Sequence, residues 1–122
     1  MKVKIDTKEK FHVINILESV MTANMTEELA KLIQECRQGP VKNIILSLRE
    51  VNRVEPDAAL FLLKSQQESY DQNQSFVICE VPKATEDWLD KEEYLELMNI
   101  TPTESEAWDI VQMEEIEREL LD

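Results

Sequence analysis

Two short apolar runs constrain this chain more than any other feature: Ile44-Ile45-Leu46, continued at Leu48, and Phe76-Val77-Ile78-Cys79. Each fits a strand buried on both faces. Between them, the stretch from Ala58 to about Tyr70 reads as a helix that opens on Ala58–Leu63, and the polar Asp71-Gln72-Asn73-Gln74 closes it. A strand, a helix and a second strand in that order imply a βαβ unit and a sheet that is mostly parallel or mixed.

The flanking segments extend the pattern. Val3 and Ile5 alternate with charged residues, as in a half-buried edge strand, and Phe11, Val13, Ile14, Ile16 and Leu17 make a denser one. Only a polar turn around Asp6–Glu9 separates them, so the two predict a hairpin. Met25, Leu29, Leu32 and Cys36 recur at steps of four, three and four, which places them on one helical face. Thr22 or Asn24 can cap that helix, and Gly39-Pro40 ends it. Trp88, Leu89, Tyr94, Leu95 and Leu97 suggest a short or broken third helix, and Met98–Thr101 a last edge strand.

The final segment carries the clearest local signal. Thr103 and Glu106 form a capping box after Pro102. Ala107, Ile110, Met113 and Leu120 then share a face, while Glu114, Glu115, Glu117 and Glu119 read as a solvated outer face. The expected architecture is one α/β domain over residues 1–122, with a mixed sheet of about five strands flanked by about four helices.

Composition excludes several functions. The net charge of −13 repels phosphate backbones and anionic lipid, so neither nucleic acid nor a membrane is an expected partner. The same charge favours a soluble monomer or weak dimer. Phosphate-cradling loops need glycines for close backbone approach. This chain has one, Gly39, so it holds neither a P-loop nor a dinucleotide fingerprint, and no GxSxG elbow is present. Cys36 and Cys79 read as reduced, buried thiols without metal-binding spacing, and the single histidine, His12, lies inside a strand where a structural role is expected. No cofactor, no metal and no catalytic residue is expected. The N-terminus lacks the apolar run of an export signal and no stretch is long enough to span a bilayer, so the cytoplasm is the expected compartment.

The loop Val51–Leu60 links a buried strand to a helix at the strand's carboxyl end, where function concentrates in α/β folds. Asp57 falls at the helix N-terminus. It or Glu55 can be an ordinary cap, or the loop can be an exposed docking site whose charge sets affinity.

The segment Val41–Leu63, reading VKNIILSLREVNRVEPDAALFLL, resembles the STAS (anti-sigma-factor antagonist, SpoIIAA-like) family. There a buried strand leads through a short loop to an Asp-Ser-Ser-Gly motif that opens a helix. The hairpin, the Met21–Asn24 turn and Ile100-Thr101-Pro102-Thr103 before an acidic helix agree in order. Bacterial members bind an anti-sigma kinase and are switched off when it phosphorylates the motif's second serine. Matched position by position, Glu55 takes the motif's Asp, Pro56 the first serine, Asp57 the phosphorylated serine and Ala58 the glycine, while Ser47 replaces the usual strand-end Asp.

The resemblance implies a non-catalytic protein-interaction domain that binds an anti-sigma factor or related kinase-like regulator. Glu55, Pro56, Asp57, Ala58, Ala59 and Lys64 are the expected partner-binding residues, with Ser65 and Glu68 further along the same helix. Asp57 stands where the phosphoacceptor would be and cannot be phosphorylated as a serine. It carries one negative charge where phosphoserine carries nearly two, so either it partly mimics the phosphorylated, weakly binding form or the domain serves a partner that never phosphorylates it. The alternative is a ligand-sensing or scaffold domain in a larger signalling assembly.

Overall fold

A computed structural model describes residues 1–121; the expected last residue of the domain, 122, lies outside the described residues. The strands are β1 (Val3–Thr7), β2 (Phe11–Ile16), β3 (Val20–Met21), β4 (Asn43–Ser47), β5 (Arg53–Val54), β6 (Phe76–Cys79) and β7 (Ile100–Thr101). The helices are α1 (Thr26–Gln38), α2 (Pro56–Asp71), α3 (Lys83–Lys91) and α4 (Glu104–Leu121). One sheet runs β1-β2-β4-β6-β7. β1 and β2 are the expected antiparallel hairpin, and every later pairing in that sheet is parallel. The two-residue strands β3 and β5 pair in parallel as a second, minimal sheet. They are too short to leave a period in the sequence.

β4 is buried along its whole length, as its apolar run requires. Its residues divide two cores by strand alternation. Ile44, Leu46 and Leu48 pack with Ile14, Ile16, Phe76 and Ile78 beneath α1, α2 and α3. Ile45 packs with Phe11, Val13, Val77 and Cys79 beneath α4 alone.

Two helical faces differ from the sequence periodicity. In α1 the buried residues are Leu29 and Ile33, with Leu32 and Cys36 half-buried beside them. In α4 the buried residues are Ala107 and Val111, whereas Met113 and Leu120 are exposed. Glu114 and Glu115 turn inward instead of facing solvent. Glu114 accepts hydrogen bonds from Tyr70 (2.9 Å) and Ser75 (2.6 Å), and Glu115 from Asn43 (2.7 Å). The polar lower end of the sheet outweighs the apolar count, because its buried donors require acceptors.

Gly39 takes an extended conformation (φ −84°, ψ −176°). Its successor Pro40 disfavours helical geometry in the preceding residue, and so ends α1. The capping bond at α4 forms as expected, with the Glu106 amide donating to the Thr103 hydroxyl at 3.2 Å.

Burial pushes the Cys79 thiol from 9.0 up to about 12, helped by the carboxylates of Glu104 and Glu80. Burial and then the Glu114 carboxylate push Tyr70 from 10.0 up to about 12. Both folded pKa values lie above the unfolded ones, so the protonated forms favour the fold. That contribution is complete below pH 9.0 and is lost as pH rises towards about 12. Urea midpoints measured across this range are expected to fall steadily. The Cys79→Ala and Tyr70→Phe variants are expected to show shallower declines than the parent.

Candidate functional site

The chain leaving β4 is tied first to the end of β6 and then sewn to the chain leaving β2. Leu48 donates to the Cys79 carbonyl at 3.0 Å, and the Val51 amide closes the following turn on the Leu48 carbonyl at 2.9 Å. Asn52 and Arg53 both donate to the Ser19 carbonyl (2.8 and 3.2 Å), and the Glu55 amide donates to Met21 at 2.9 Å. β3 and β5 are the visible result of this seam. It holds the loop at the carboxyl ends of the parallel strands. From the other side, the Thr85 hydroxyl donates to the Val51 carbonyl at 2.9 Å, which ties α3 to the same loop.

α2 starts where its sequence permits. Glu55 is extended (φ −74°, ψ 152°), Pro56 takes the first helical position, and the Ala59 amide donates to the Glu55 carbonyl at 3.0 Å. Proline suits that position because its missing N–H would have no helical partner. Asp57 follows in the first turn, exposed, where the helix dipole favours negative charge. Neither acidic residue makes a side-chain cap at this helix. Glu55 instead reaches across and accepts the Ala23 amide at 2.8 Å, at the head of a short 3₁₀ turn, Ala23–Met25. Replacing Glu55 with alanine is expected to lower stability by about 1 kcal/mol, as for loss of one hydrogen bond. It should also speed amide hydrogen exchange at Ala23.

The expected docking residues do not all reach the surface. Pro56, Asp57 and Lys64 are exposed, and Glu55 is half-buried. Ala58 and Ala59 are fully covered, because they are the inner face on which α2 rests against the sheet. Ser65 is buried for the same reason. The face actually offered to solvent runs Asp57, Leu60, Lys64, Glu68, at helical spacing. Leu60 is 44% exposed and was not legible as a surface residue. It sits inside the run Ala58–Leu63, where it counts as core by composition.

A groove of about 330 Å³ adjoins this face, lined by Arg53, Val54, Glu55, Pro56, Trp88 and Glu92. Trp88 stacks on Tyr94 with ring centroids 6.0 Å apart. Sequence reasoning placed Trp88 in the third helix but did not associate it with the loop, since only the fold brings them together.

His12 lies at the other end of the sheet from Asp57, with Nδ1 2.8 Å from the Thr7 hydroxyl and Nε2 2.7 Å from the Val41 carbonyl. Among the described residues, no cluster of histidine, cysteine and carboxylate side chains could hold a metal ion, and no helix is long and apolar enough to cross a membrane. Ser47, the last residue of β4, is buried.

A mixed five-stranded sheet, with three helices on one face and one on the other and an open strand-to-helix junction at its carboxyl end, defines the class. The STAS domain model matches residues 2–107, and the chain belongs to that family. Among solved structures, the chain is similar to a Thermotoga maritima protein assigned as an anti-sigma factor antagonist. That match has 14% identity and a TM-score of 0.75, and it covers 90% of this chain and 94% of that one. It is also similar to the unphosphorylated form of the anti-sigma factor antagonist SpoIIAA (17% identity, TM-score 0.71, 91% and 96% covered). A serine-to-glutamate variant of RsbS from Moorella thermoacetica matches at 14% identity and a TM-score of 0.73, with 92% and 96% covered. At these identities the likeness is one of fold. No curated protein matches the chain.

Proposed function

We propose that the chain is a non-catalytic protein-interaction domain that binds an anti-sigma factor or related kinase-like regulator through the start of α2. Pro56 and Asp57 carry the reading, because they stand exposed at the strand-to-helix junction. The seam to β3 and the bond from Glu55 to Ala23 hold that junction rigid. Asp57 occupies the position matched to the phosphorylatable serine and places a carboxylate there. The partner therefore meets a surface that phosphorylation of a serine at this position cannot switch. Leu60 and Lys64 extend the contact along the helix, and the groove beside Trp88 accepts a side chain from the partner.

The test is to restore the switch. The Asp57→Ser variant, incubated with anti-sigma kinases and ATP, is expected to take up phosphate at residue 57 and, before it is phosphorylated, to bind the kinase more tightly than the parent. An unchanged affinity for every kinase, with no phosphate incorporated, would remove the junction from the contact surface.

A further inference from the structure

The two edges of the main sheet are unequal. β7 is two residues long, and its brevity protects it from further pairing. β1 is five residues long and has no neighbour on its outer side among the described residues. Its hydrogen-bonding phase is fixed by the hairpin. Lys8 donates to the Phe11 carbonyl and Leu17 to the Lys2 carbonyl, so the even-numbered residues bond across to β2. By alternation, the N–H and C=O groups of Val3, Ile5 and Thr7 point out of the edge. Ile5 is 37% exposed, beside an open groove of about 520 Å³ lined by Met1, Val3, Leu32, Glu28 and Lys31.

We propose that β1 pairs antiparallel with β1 of a second copy of this chain, about a two-fold axis through Ile5. In that register each outward-bonding residue meets another: Ile5 faces the second copy's Ile5, and Val3 faces its Thr7. Lys4 then lies directly opposite the second copy's Asp6, and Asp6 opposite its Lys4. These are non-hydrogen-bonded positions, where opposed side chains come closest. A two-fold interface requires this kind of self-complementarity.

The charges also select the register. A slip of one residue breaks the hydrogen-bond phase. A slip of two keeps the phase but sets lysine against lysine at position 4, or aspartate against aspartate at position 6. Like charges directly opposed are destabilising. Edge-strand charges commonly guard against any pairing; these two cancel in one arrangement only. The apolar side chains of Val3 and Ile5 supply the driving force, while the net charge of −13 on each copy keeps the dimer weak.

Sedimentation equilibrium up to millimolar protein tests this, with circular dichroism melts confirming that each variant is folded. The parent is expected to dimerise. Lys4→Glu and Asp6→Lys are each expected to weaken association about tenfold, through two opposed pairs changed from attraction to repulsion. Mixed in equal amounts, the two variants are expected to dimerise with each other, because glutamate at 4 then meets lysine at 6 and Lys4 meets Asp6. A monomeric parent overturns the proposal. So does a dimer that both single variants preserve, or a mixture that stays monomeric. A dimer that survives both charge changes but is lost on Ile116→Asp places the contact on the exposed apolar side of α4 instead, and also overturns it.

Discussion

Replacing Asn43 with alanine is expected to lower unfolding stability by about 3 kcal/mol, a large share of what a domain of this size possesses. Asn43 is the first residue of β4 and is 5% exposed. Its side-chain amide donates to the Lys10 carbonyl at 2.8 Å and to the Glu115 carboxylate at 2.7 Å. Its carbonyl oxygen accepts the Ser75 amide at 2.8 Å. One side chain thus laces the starts of β2, β4 and β6 to α4. Truncation deletes three hydrogen bonds and leaves the buried Ser75 N–H without a partner. Each bond contributes about 1 kcal/mol net, and an orphaned donor costs more than an exchanged one. Urea unfolding monitored by tryptophan fluorescence measures the loss, since Trp108 packs on Phe11 in the core beneath α4. A change below about 0.5 kcal/mol, the scale of an ordinary surface substitution, would mean that the lower end of the sheet stands without this residue.

If the proposed docking surface is right, Leu60→Ala is expected to weaken binding of the proposed kinase-like partner about tenfold or more while leaving the fold intact. The side chain lies on the outer face of α2, one turn beyond Asp57, and loses little burial on truncation. Alanine is also the better helix former, so stability should move by less than about 0.5 kcal/mol. Leu62→Ala is the control. Its side chain is 1% exposed in the main core, and its removal is expected to cost about 2–5 kcal/mol. Calorimetric titration of the partner, set beside thermal melts of both variants, separates a docking residue from a packing residue two positions away. A Leu60→Ala variant that binds as tightly as the parent would move the docking surface off this helix face.

Glu55 shows where local reasoning about the site stops. A glutamate just before a helical run is a sound candidate for a cap, as is Asp57 beside it. The helix begins one residue later, at Pro56, yet the Glu55 carboxylate serves Ala23, thirty-two positions away in the chain. Ala58 and Ala59 are covered for a related reason. A motif match assigns them by position, but the face that α2 turns to the sheet buries them in the core.

The amino-acid order alone determined the succession of the main-sheet strands and the helices, the burial of Ile44–Leu48 and Phe76–Cys79, the hairpin at the start, and the turn in which Asp57 falls. These are properties of period, run length and punctuation, and they act over a few residues. The tertiary structure decided which side of each helix is covered, that Glu114 and Glu115 face inward, that Trp88 borders the α2 junction, and that β1 is left with open hydrogen-bonding groups. Those outcomes depend on partners supplied by segments distant along the chain, and no local pattern encodes where such a partner will stand.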